Sequence, residues 1–122
     1  MTRQTLPDSV ARMVAKYAKA ASLHGRATRE GDQELANRSY QRMARVCRAL
    51  RERGPDAQSA LLPLVSDPDP AVRGWAASHA LEFAPEVASQ ALSELASGPP
   101  SPERLSAEVV LREWRRGALK FP

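Results

Sequence analysis

Residues 60–83, ALLPLVSDPDPAVRGWAASHALEF, recur in residues 91–114, ALSELASGPPSPERLSAEVVLREW, at an offset of 31. Ala60/Ala91, Leu61/Leu92, Leu64/Leu95, Ser66/Ser97, Pro68/Pro99, Arg73/Arg104, Ala76/Ala107 and Glu82/Glu113 are identical, and Phe83/Trp114 agree in kind. The pairs Asp69-Pro70 and Ser101-Pro102 agree at 32 instead, a one-residue change in the turn. Each unit reads as a short helix, a Pro-rich turn and a longer helix. Such a unit cannot bury its apolar face alone, so it has to stack on a neighbour. A chain built this way is expected to be a layered stack of helices.

The remaining segments follow the same pattern. Val10, Met13, Val14, Tyr17, Ala21 and His24 recur at helical spacing and predict a first helix from Asp8 to His24, with Pro7 and Asp8 at its start and Gly25 near its end. Asp32 is placed to cap a second helix that stops at Gly54-Pro55, with Ala36, Tyr40, Met43, Cys47 and Leu50 as its apolar stripe. A short third helix is expected over Gln58–Val65, starting late or bent at Pro63, which has no N–H to donate. Asp69 and Pro70 suit the cap and first position of a fourth helix, whose stripe is Val72, Trp75, Ala76, His79, Ala80 and Phe83. A fifth runs from Pro85 to Ser97, and a sixth from Ser101-Pro102 to Gly117. Aromatic residues make up only 5% of the chain, so Leu, Ala and Val have to build the core.

LLPLVSDPDPAVRGWAASHAL resembles a HEAT-type helical repeat, whose Asp-x-x-Pro-x-Val-Arg phrase is matched by Asp67, Pro70, Val72 and Arg73. More widely, the chain is similar to a small bacterial family of HEAT-like proteins known as a domain of unknown function. That similarity runs from YAKAA at 17–21 through Asn37 to Leu111-Arg112-Glu113-Trp114. The resemblance implies a helical-repeat fold, a binding role and no known chemistry. It also implies that Arg73 ties its turn to a neighbouring repeat. Some small families of this kind look like antitoxin or immunity proteins. Pro99-Pro100, and Glu103 in the place of Val72, depart from the signature, so the last repeat is degenerate. The expected fold is all-α: one domain over 1–122, a HEAT-like right-handed stack of about three antiparallel helix pairs, six helices in all.

Charge is unevenly placed. Residues 1–54 carry 12 Lys/Arg against 5 Asp/Glu, a net +7, while residues 55–122 carry 6 against 9, a net −3. Arg12, Lys16 and Lys19 share one face of the first helix, and Arg38, Arg42 and Arg45, with Arg48 close by, share an outer face of the second. These residues are the candidate partner-binding surface. It would steer an acidic partner, or alternatively hold nucleic-acid phosphates without sequence preference. Asp67, Asp69, Pro70, Val72 and Arg73 are read as structural repeat-signature residues.

Groups able to do chemistry are sparse. His24 and His79 both fall on apolar faces, and neither has a cysteine or acidic cluster at metal-ligand spacing. Cys47 is the sole cysteine and lies on a core stripe, where thiols are inert. Neither a Gly-x-Ser-x-Gly elbow nor a glycine-rich phosphate loop is present. Trp75 and Trp114 belong to apolar periodicities and are read as packing residues, the alternative being an edge aromatic that anchors a partner. An enzyme would require a cleft around His24 or His79 with a carboxylate nearby. The expectation is therefore a cytoplasmic binding protein, not an enzyme, with no metal or cofactor. Its partner would be an unidentified protein or a second copy, with nucleic acid as the alternative and no membrane.

Overall fold

The computed structural model describes residues 7–122. Six α-helices are found among them: α1 (Asp8–Glu30), α2 (Gln33–Arg53), α3 (Pro55–Ser59), α4 (Pro70–Ala80), α5 (Pro85–Ala96) and α6 (Pro102–Arg115). A 3-10 helix, Leu62–Ser66, lies between α3 and α4. The all-α architecture with pairwise packing is the one the repeat pattern predicts.

Three of the predicted caps close as expected. Asp32 accepts a hydrogen bond from the Leu35 N–H at 3.0 Å, Asp69 from Ala71 at 2.9 Å and Ser101 from Arg104 at 3.0 Å. Each satisfies a backbone donor that the helix start leaves without a partner. At α1 the expectation differs: no side chain caps the start, and Asp8 is instead the first helical residue. There its carboxylate favours the positive end of the helix dipole.

Two boundaries need correction. α1 does not end near His24; it continues through Gly25 to Glu30 and stops at Gly31, whose φ of 74° suits a residue without a side chain. Gly25 is buried inside the helix because α4 crosses there. A Cβ at Gly25 would lie 2.6 Å from the Ala71 Cβ, so the glycine sets how closely α1 and α4 approach. The third helix is also not one piece. α3 begins at Pro55, and the chain passes into the 3-10 segment, with Pro63 in its first turn, where a missing N–H is tolerated.

The repeat is visible in the hydrogen bonds. Arg73 Nη1 donates to the Asp67 carbonyl at 3.0 Å, and Arg104 Nη1 donates to the Gly98 carbonyl at 3.1 Å, the same six-residue reach in both units. Arg73 also donates to the Pro68 carbonyl at 3.2 Å. The signature arginine therefore closes its own turn; it does not tie the turn to a neighbouring repeat. Both bonds come from the one Nη1, whose two hydrogens serve two carbonyls that the turn leaves unpaired. Asp67 contributes from the other side, accepting from the Asp69 N–H at 2.9 Å. Val72 is buried in the core.

Packing runs between layers as well as within pairs. α1 packs on α2, and α5 on both α4 and α6. α4 also contacts α1 and α6, while α2 contacts α3 and the 3-10 segment contacts α5. One layer thus holds α1, α4 and α6, and the other holds α2, α3, the 3-10 segment and α5. One core joins Val10, Tyr17, Met43, Leu50, Leu61 and Val72; a second joins Ala77, Leu81, Ala88, Leu92, Ala107 and Leu111. Fully buried leucines such as Leu50, Leu61 and Leu92 each stabilise the fold by roughly 1.5–3 kcal/mol. Trp75 and Trp114 are partly buried against these cores, as their periodicity predicts.

Candidate functional site

The packing of α1 on α2 brings two runs of cations together. Lys16 and Lys19 of α1, with Arg42 and Arg45 of α2, line an open groove of about 580 Å³. Met13, Ala20, Val46 and Ala49 form the rest of its wall, and no carboxylate lines it. Two apolar residues and two cations thus come from each helix. The four cations are exposed. Among the described residues none of the four has an ion-pair partner within 4.0 Å.

The other candidate residues lie outside this groove. Arg12 and Arg48 are exposed on the same two helices, without a carboxylate within 4.0 Å among the described residues. Arg38 reaches Glu34 one turn earlier at 3.8 Å, an exposed pair of little energetic weight.

A second cavity, of about 410 Å³, lies over α4 between α1 and α6. His24, Gly25 and Thr28 form one wall, Gly74, Trp75 and Ser78 part of the floor, and Leu105 and Val109 part of the far wall. Leu105 and Val109 are 63% and 49% exposed. Glu103 also lines it, and its carboxylate accepts from Arg29 at 3.2 Å. Sequence reasoning marks Glu103 only as a departure from the repeat signature; the fold gives the reason, an ion pair between α6 and the end of α1. A histidine and a carboxylate thus share a cleft, but the carboxylate is held by an arginine.

Inside, the aromatic residues form a chain. Tyr17, pushed well above its ordinary pKa by burial, keeps its proton and shares a hydrogen bond with His79 Nδ1 at 2.5 Å. His79 stacks on Trp75 at a centroid separation of 5.5 Å, and Trp75 meets His24 edge-on at 4.9 Å. The Trp75 indole N–H points at His24 Nδ1 across 3.4 Å. Burial lowers the pKa of both histidines, that of His79 to about 4, so His79 is a neutral packing group at pH 7. Burial also pushes the Cys47 thiol up to about 12, which removes its nucleophilic form.

One further contact escapes sequence reasoning. Glu82, in the turn just after α4, takes two hydrogen bonds from Arg51, at 2.8 and 2.6 Å, and one from Gln58 at 3.0 Å. The bond from Arg51 pulls the Glu82 carboxyl below its ordinary range. This clamp joins α2, α3 and α4, residues too far apart in sequence for local pattern to pair. Among the described residues no group of three or more His, Cys, Asp or Glu side chains is arranged to hold a metal ion. Nor is any helix among them long and apolar enough to cross a membrane.

Paired helices, a repeated turn and a cationic outer groove define a small helical-repeat domain. The chain belongs to the bacterial family described as "Domain of unknown function (DUF2019)", whose model matches residues 11–114. It is similar to the crystal structure of the protein RPA1889 from Rhodopseudomonas palustris CGA009. The two are 27% identical with a TM-score of 0.86, over 97% of this chain and 100% of that one. No curated protein matches it.

Proposed function

We propose that this chain is a non-catalytic interaction module that docks an acidic protein surface in the groove between α1 and α2. The observation that supports this is the groove itself: four cations without carboxylate partners around an apolar floor. Exposed cations raise the encounter rate with an acidic partner and set its orientation. The apolar residues between them supply the contact area from which affinity comes. Action would be steric, the partner being covered or scaffolded without covalent change. An inhibitor or immunity-type binder fits that mechanism.

A phosphate backbone fits the same cations but leaves Met13, Val46 and the two alanines without a counterpart. The groove also offers no aromatic ring on which a base would stack. Both features favour protein over nucleic acid.

The test is a paired capture from native lysate. The tagged chain is compared with a variant carrying Lys16→Ala, Lys19→Ala, Arg42→Ala and Arg45→Ala, each with and without nuclease. A stoichiometric protein retained through nuclease by the parent chain and lost by the variant is the expected result. Identical protein captured by both, or only nuclease-sensitive material, contradicts the proposal.

A further inference from the structure

The second half of the chain holds six glutamates: Glu82, Glu86, Glu94, Glu103, Glu108 and Glu113. Four are held by an arginine: Glu82 by Arg51, Glu103 by Arg29, Glu108 by Arg104 and Glu113 by Arg116. Among the described residues only Glu86 and Glu94 of these six have no cation within 4.0 Å. Both are on α5, eight residues apart, and both are exposed. At 100° per residue they fall within one quarter-turn of the helix, on a face shared with Val87 and Gln90. Val87 is 50% exposed, one of only three large apolar residues left so open among the described residues.

That face is the chemical inverse of the groove. Around α5 the order is Glu86, Gln90, Glu94 and then Val87, so the helix presents two carboxylates with an exposed apolar residue at one edge, while the groove presents cations beside apolar residues. Lengths agree too. The acidic face, about 12 Å from Glu86 to Glu94 at 1.5 Å per residue, is about as long as the groove wall, about 10 Å from Met13 to Ala20 or Arg42 to Ala49, within which the cations sit about 4.5 Å apart on each helix. A helix lying against a two-helix hairpin is also how stacked repeats extend.

We propose that α5 of a second copy of this chain docks in the α1–α2 groove, so that copies associate head to tail. The inference rests on the reading of the groove as a docking surface for acidic protein. The two faces lie on different parts of the chain, so the contact is heterologous and leaves a free groove at one end and a free α5 at the other. Such contacts close into rings or continue as filaments.

Sedimentation velocity of the full chain over a range of concentrations tests this, at about 50 mM and about 500 mM salt. Association that grows with concentration at low salt and disappears at high salt is expected. Glu94→Lys alone, or Arg42→Glu alone, should weaken it by about ten-fold or more, and the two together in one chain should restore it. Glu94 is the better site than Glu86, which lies in the first turn of α5, where its charge supports the helix. Circular dichroism of each variant shows that the helices are intact. A chain monomeric at every concentration at low salt overturns the proposal, as does association that ignores both reversals or is not restored by the double change. If self-association fails while the groove variant still loses a nuclease-resistant protein in the paired capture, only the identity of the acidic partner is wrong. Loss of both removes the groove as a docking surface.

Discussion

Gly25 shows how one residue sets a helix crossing. A side-chain carbon there would meet Ala71 at 2.6 Å, well inside any real contact. Alanine is the better helix former by about 1 kcal/mol, but overpacking a crossing costs about 1–3 kcal/mol. Gly25→Ala is therefore expected to destabilise the fold in urea unfolding, and adding Ala71→Gly should recover part of the loss. His79 makes a different prediction at the same scale. Its pKa falls from 6.5 to about 4, chiefly through burial. Below pH 6.5 the unfolded chain takes up a proton that the native chain refuses until about pH 4. This contribution to stability is thus complete above 6.5 and is lost as pH falls towards 4, a change on the order of 3 kcal/mol. NMR titration of the native chain should find His79 still neutral at pH 5, and imidazolium formation near 6.5 would contradict the account. Tyr17→Phe should cost about 1–3 kcal/mol, because His79 Nδ1 then loses its hydrogen-bond partner inside the core.

At the scale of elements, the Pro-rich turns owe their shape to arginine. Arg73 and Arg104 each reach back six residues to a carbonyl, a contact that alanine cannot make. Arg73→Ala is expected to lose about 1–3 kcal/mol, measured by thermal unfolding, with Arg73→Lys recovering part, since its ammonium also carries donors for both carbonyls but sits on a shorter stem. Helix number, the caps at Asp32, Asp69 and Ser101, and the buried stripes are all legible in the sequence, because each follows from a local rule of period or capping. The end of α1 is not. A glycine inside a helix and a glycine after one look alike until the neighbour that excludes a side chain is known. The split at Pro63 is half legible: proline forecasts a break but not that 3-10 geometry fills it. Tyr17–His79 and Arg51–Glu82 are not legible, since 62 and 31 residues separate the partners. Of the candidate surface residues, periodicity places Lys16 with Lys19 and Arg42 with Arg45 on helix faces. Only the α1–α2 packing shows that these four share a groove and that Arg12, Arg38 and Arg48 stand outside it.

Over the whole molecule, charge is sorted by position. The first hairpin keeps cations that no carboxylate answers, while most glutamates of the later helices are occupied by arginines. Exposed charges of this kind add little to stability, so replacing the four groove cations should change it by less than about 0.5 kcal/mol for each substitution. Any large effect of that variant on binding then belongs to the surface itself. The chain contains three lysines, Lys16, Lys19 and Lys120. Two line the groove and the third lies beyond α6, which supplies an internal control. Zero-length coupling of lysine amines to carboxylates in native lysate, read by mass spectrometry, therefore tests the central claim most directly. Intermolecular links from Lys16 and Lys19 to acidic side chains of a protein, well in excess of those from Lys120 and suppressed by salt, are the predicted result. Links from Lys120 at equal frequency, or none from the groove lysines, would contradict it.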